Sequence, residues 1–130
     1  MRLSFDLDDT LIRYQEGIPR EKCLLGWTRE PLRQGAVSLW RELARRGYRI
    51  GIYTTSYRDP WKVRFWLLCY RLWPAFVLTQ RDNDIRKIAN KDPRAFGIDC
   101  HIDDDETGAD IHVLPSDANW VETVLARLSG

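Results

Sequence analysis

Apolar and polar positions follow two regimes along this chain. Short apolar runs bounded by acids or glycine predict strands at 2–7, 48–54, 75–78, 99–103 and 110–114. Between them, apolar residues recur at spacings of three and four. In 34–46 these are Ala36, Val37, Leu39, Trp40, Leu43 and Ala44, which make one face of a helix. Gly47, directly after Arg45 and Arg46, is a stop signal for it. Asp59-Pro60 opens a second helix, with Asp as cap and Pro in the first turn, running to about Leu72. Residues 79–90 are polar and read as a loop with one helical turn, and Asp92-Pro93 starts another short turn. Asp117 caps a last helix over 119–128. Strand and helix alternate throughout. The expected fold is therefore α/β, a three-layer open, mostly parallel five-stranded sheet with helices on both faces. In such sheets ligands bind beyond the carboxyl ends of the strands.

Composition narrows the class. A chain of 130 residues, 44% hydrophobic and 30% charged, fits one domain over 1–130 with its own core. The net charge of +1 gives no electrostatic case for a nucleic-acid coat or a polybasic membrane anchor. No apolar run reaches the ~18 residues of a membrane span, and residues 1–5 carry no secretory pattern. Cys23, Cys69 and Cys100 are far apart and odd in number, so they read as reduced buried thiols. Together these point to a cytoplasmic protein.

The candidate chemistry lies in two acid clusters. Asp6, Asp8 and Asp9 end the first predicted strand, and Asp103, Asp104 and Asp105 end the fourth. If the two strands are neighbours, the carboxylates meet at one sheet edge and raise one another's pKa. A hard cation relieves that repulsion, and an oxygen-only ligand set suits Mg²⁺. If they are not, the clusters are two solvated loop ends. His101 sits inside the fourth strand, with its side chain expected to point away from the acids. His112 falls in the last strand and carries no motif.

Four segments resemble the motifs of the haloacid dehalogenase superfamily of aspartate-nucleophile phosphatases, in order, over residues 1 to about 115. Phe5-Asp6-Leu7-Asp8-Asp9-Thr10-Leu11 is similar to the first motif, apolar-Asp-x-Asp-x-Thr. Ile50-Gly51-Ile52-Tyr53-Thr54 is similar to the second, Lys91-Asp92-Pro93-Arg94-Ala95-Phe96 to the third, and Cys100-His101-Ile102-Asp103-Asp104 to the fourth. The resemblance implies a Rossmann-like core and a phosphatase that forms an aspartyl phosphate on Asp6. Asp8 would serve as general acid and base, a role that also separates phosphatases from the dehalogenase branch. Thr54 would donate to a phosphoryl oxygen, with Thr55 and Ser56 within reach of the same group through their backbone. Lys91 would contribute positive charge, with Lys87 as the alternative. Mg²⁺ would be held by Asp6, the Asp8 carbonyl and the fourth motif, Asp104 before Asp103. The fourth motif here has Asp103 where Gly is common. Asp105 and Asp110 are candidates for the outer shell of the metal, and Thr10 is expected to shape the loop.

Family members differ in the cap that covers the site. Here 11–33 leaves room only for a short flap, with Gly17-Ile18-Pro19 as its turn. The stretch 57–90 is taken up by a helix, a strand and a loop. The resemblance thus implies a capless member with an open site, admitting a phosphorylated small molecule or macromolecule. A catalytically idle binding protein on the same fold, and a nucleic-acid end-processing enzyme, are the alternatives. Arg13, Arg20, Arg29 and Arg33 lie in the flap region, where they would grip a second anionic group or simply face solvent; Trp27 offers a ring for stacking. Lys62, in the second helix, reads as a solvated residue. That helix is apolar on two stripes, one with Val63, Trp66, Leu67 and Tyr70, the other with Trp61, Phe65, Leu68 and Leu72. The second stripe is either covered by loops or open to a partner, including a second copy of the chain.

Overall fold

The computed structural model describes residues 1–8, 10–12, 32–89, 91–106 and 108–129. Five strands form one sheet: β1 (Arg2–Phe5), β2 (Arg49–Tyr53), β3 (Val77–Leu78), β4 (Cys100–Asp103) and β5 (Ile111–His112). All neighbours are parallel, in the order β3-β2-β1-β4-β5. β1 is therefore central. Its register places Phe5 beside Ile52 of β2 and Ile102 of β4. The ladder continues one residue further, where the Asp6 N–H donates to the Ile102 carbonyl at 2.9 Å.

Helices α1 (Ala36–Arg45), α2 (Pro60–Leu68), α3 (Gln80–Ile85) and α4 (Trp120–Ser129) connect and flank the strands, with a 3₁₀ turn at Pro93–Phe96. Successive strand residues point to opposite faces. Phe5 faces one side, stacking on Trp40 of α1 at 5.9 Å and meeting the edge of Trp120 of α4 at 6.4 Å. Leu3, Leu39, Leu43 and Val124 complete this layer, all buried. At ~1.5–3 kcal/mol for each large apolar side chain, this layer is what holds β1 against the helices. On the other face the Tyr53 hydroxyl donates to Asn83 Oδ1 of α3 at 2.7 Å, and its ring meets Phe96 of the 3₁₀ turn.

Local signals set the ends. Gly47 adopts φ +92°, a conformation that favours glycine, and its N–H closes α1 on the Ala44 carbonyl. The Asp59 side chain caps α2 by accepting from the Trp61 N–H at 2.9 Å. α2 stops at Leu68, short of Leu72, because the chain turns through Arg71 at φ +61°. The polar stretch after β3 holds a real helix, fixed by a capping box. The Thr79 hydroxyl accepts from the Arg81 N–H, and the Asp82 carboxylate accepts from the Thr79 N–H.

α2 buries Val63, Trp66 and Leu67 and leaves Trp61, Phe65 and Leu68 exposed, Trp61 to 71%. Leu72, beyond the helix, is buried. Cys69 and Cys100 are buried. Among the described residues no helix is long and apolar enough to cross a membrane.

Candidate active site

β1 and β4 are adjacent, and that adjacency brings the two acid clusters together. Asp6 leaves the end of β1 and Asp103 ends β4; both are buried. Carboxylate oxygens of Asp6, Asp103 and Asp104 lie within 4.8 Å of one another. Lys91 reaches between them, its Nζ 3.1 Å from Asp6 Oδ1 and 2.5 Å from Asp103 Oδ2. Lys87, the alternative cation, is exposed and stands at φ +56° after α3.

Lys91 is itself held in place. The neighbouring Asp92 N–H donates to the Tyr53 hydroxyl at 3.0 Å, and the Tyr53 ring centre lies 5.9 Å from Lys91 Nζ. Behind Lys91 passes Gly108, at φ +80°; a Cβ there would come within 2.8 Å of the Lys91 carbonyl.

The electrostatics follow from burial and from one cation among three acids. Burial pushes the Asp6 carboxyl up to about 8; Lys91 pulls the other way, and Asp103 adds to the rise. Burial also raises Asp104, with Asp103 contributing. Asp103 is the reverse case. Burial would raise it, but the hydrogen bond from His101 and the charge of Lys91 outweigh that and hold it below the ordinary carboxylate range. For Lys91, burial favours the neutral amine, yet Asp6 and Asp103 more than compensate and the pKa rises.

His101 does not turn away from the acids. Residues 101 and 103 share a strand face, and Nε2 lies 2.9 Å from Asp103 Oδ2 while Nδ1 lies 2.6 Å from Ser4 Oγ. Burial lowers the His101 pKa despite the Asp103 charge, which leaves the ring neutral. An ionised Asp103 only accepts, so Nε2 carries the proton and Nδ1 accepts from the Ser4 hydroxyl. This buried chain, Ser4 to His101 to Asp103 to Lys91, fixes Asp103 from behind. The same period of two that predicts the strands would have found it, since 4 and 6, like 101 and 103, alternate onto one face.

The loop after β1 is tight. The Leu7 carbonyl accepts from the N–H groups of Thr10, Leu11 and Ile12. The buried Thr10 hydroxyl accepts from the Asp104 N–H at 3.0 Å and lies 3.4 Å from Asp104 Oδ1 and 3.5 Å from Asp6 Oδ2. Thr10 thus ties the two strand ends together. Asp8 is half-exposed and pairs with Arg58 at 2.9 Å, a partner that no motif indicated. Thr54 is buried at the end of β2, its Oγ1 3.1 Å from Ser56 Oγ; Thr55 beside it is exposed.

Other candidates have different partners. The Asp105 N–H donates to Asp103 Oδ1 at 3.1 Å. Asp110 accepts from Arg94 and from the His101 N–H, bracing β4 rather than joining the trio. His112 Nε2 lies 2.8 Å from the Asp104 carbonyl. Arg33, expected to face the mouth or solvent, is buried. Its guanidinium donates to the carbonyls of Thr10, Leu114 and Asp117 and stacks over Trp120. Ile12 and Leu32 form an antiparallel bridge where the chain leaves for and returns from 13–31. Asp9, Arg13, Gly17, Ile18, Pro19, Arg20, Cys23, Trp27 and Arg29 lie outside the described residues.

Three hard-oxygen acids, two of them held towards their protonated form by burial and mutual repulsion, are a donor set that fits Mg²⁺. Asp103 already serves Lys91, His101 and the Asp105 N–H, so Asp6 and Asp104 would be the better placed to hold a cation. No family model matches the chain, and no curated protein or solved structure matches it.

Proposed function

We propose that this chain is a Mg²⁺-dependent phosphatase of the haloacid dehalogenase type, hydrolysing a phosphate monoester through an aspartyl phosphate on Asp6. The observation that carries the reading is Lys91 bridging Asp6 and Asp103 at the carboxyl end of two adjacent parallel strands. It joins the first motif-like segment to the third, 85 positions away from Asp6 to Lys91, and to the fourth in one cluster.

In this reading an Asp6 oxygen attacks phosphorus while the ester oxygen leaves, taking a proton from Asp8. Asp8 then accepts a proton from water, which attacks the phosphoryl group and restores Asp6. Lys91 and the Thr54 hydroxyl face the charge that develops on the phosphoryl oxygens. A bound Mg²⁺ would be held by Asp6 and Asp104, with Asp103 beside them, and would supply the positive charge that favours ionised Asp6. The bridge between Ile12 and Leu32 brings together the two ends of the segment assigned to a flap in this reading.

The test is hydrolysis of p-nitrophenyl phosphate with and without Mg²⁺, for the unmodified protein and for Asp6→Asn. Metal-dependent turnover that falls at least a thousandfold in Asp6→Asn supports the reading. Turnover that survives the substitution, or none with any of a panel of phosphate monoesters, overturns it.

A further inference from the structure

Beside Asp8 the segment entering α2 and the start of α3 enclose a cleft of about 520 Å³. That is the size of an ordinary small-molecule site, roughly 300–1,000 Å³. Its wall includes Leu7, the residue between Asp6 and Asp8, and Arg58, the ion-pair partner of Asp8. The cleft thus borders the loop that carries Asp8, although none of Asp6, Asp103, Asp104 and Lys91 lines it. Among the described residues its lining carries three cations, Arg58, Lys62 and Arg81, against one acid, Asp59, whose carboxylate is committed to capping α2. Among the described residues neither Lys62 nor Arg81 forms an ion pair. Cations without a counter-charge on a concave wall concentrate positive potential there. Arginine adds a planar fork suited to phosphate or carboxylate. Trp66 contributes apolar surface at the back.

The direction of the cleft gives it meaning. In the phosphatase reading Asp8 protonates the leaving oxygen, so the leaving group sits on the Asp8 side, against Arg58. Resting on that reading, we infer that the cleft receives the leaving group, and that this group carries a second anion, phosphate or carboxylate, held by Lys62 and Arg81. Of the arginines to which the sequence offered a second-anion role, Arg33 alone is among the described residues and lies outside this lining.

Three esters of equal length test it with Mg²⁺ present: propyl phosphate, its analogue ending in carboxylate, and propane-1,3-diol bisphosphate. We expect kcat/KM at least tenfold higher for a charged end than for propyl phosphate. Whichever of the two wins identifies the anion. In the double variant Lys62→Ala, Arg81→Ala that ratio falls to within twofold of one. A ratio near one in the unmodified protein, or a ratio that survives in the variant, overturns the inference. If none of the three esters is hydrolysed, the phosphatase reading fails with these substrates, and calorimetry with the bisphosphate decides the cleft separately. Binding lost in the double variant retains it as an anion site; absent or unchanged binding removes it.

Discussion

Replacing Asp6 by Asn should stabilise the metal-free protein, although Asp6 is the proposed nucleophile. Its carboxyl is raised from 3.8 to about 8, first by burial and then by Asp103, against Lys91. A raised folded-state pKa means that between about pH 4 and pH 8 the folded chain keeps a proton that the unfolded chain releases. Stability from this group is complete below pH 4 and is lost as pH rises through 8. At pH 7 the ceiling is about 4 kcal/mol, three pH units at ~1.4 kcal/mol each. Asn has no proton to release and leaves Lys91 with Asp103 alone, so a gain of ~2 kcal/mol is expected once imperfect amide hydrogen bonds are allowed for. The window to read is pH 6.5–8, with Asp104, also raised by burial, present in both chains. His101, with its pKa lowered by burial, contributes stability that is lost as pH falls, and Asp103, held low by His101 and Lys91, does so at still lower pH. Both lie outside that window. Urea unfolding in EDTA should show the unmodified protein losing roughly 1–2 kcal/mol relative to Asp6→Asn between pH 6.5 and 8. Adding 10 mM Mg²⁺ should restore the loss in the unmodified protein alone, because a cation binds the ionised form. Parallel pH profiles, or an Asp6→Asn chain that is less stable at pH 8 without metal, would refute the reasoning.

Two more substitutions probe the support of the site. His101→Phe strands the Ser4 hydroxyl and removes a donor from Asp103, so urea unfolding should show a loss of about 2–4 kcal/mol, with part recovered when Ser4→Ala is added; no loss would remove the buried chain from the account. Gly108→Ala combines a positive φ with a Cβ 2.8 Å from the Lys91 carbonyl. It should lower kcat on p-nitrophenyl phosphate about tenfold while costing only ~1–2 kcal/mol of stability, and an unchanged kcat would show that Lys91 tolerates the shift.

The strands and the acids that end them were legible because a buried parallel strand is a short apolar run with nothing else to confuse it. The all-parallel five-stranded sheet matches the expected class. Whether the first and fourth runs were neighbours was not legible, since pairing Leu3 with Cys100 is decided by the packing of the whole chain. Arg33 was misplaced for a related reason. Two of its three carbonyl partners, at Leu114 and Asp117, belong to a segment that only the folded topology brings near. In α2, local periodicity showed two apolar stripes without saying which the sheet would cover. His101 was misjudged although the information was present, since its parity with Asp103 follows from strand geometry alone.

The central position of β1 also sets an order of events during synthesis. Leu3 pairs on one side with Ile50 and on the other with Cys100. A nascent chain can therefore join β1 to β2 and β3 long before β4 emerges from the ribosome. Until then one side of β1 is an open edge, with apolar Leu3 and Phe5 available to pair with another chain. Asp6 at its end stays in water through that interval, ionised, where its charge discourages such pairing. Arrival of β4 closes the edge and, in the same step, buries that carboxyl, which below about pH 8 takes up a proton as it leaves water. The residue proposed for chemistry in the finished protein would thus guard the exposed strand while the protein is being made.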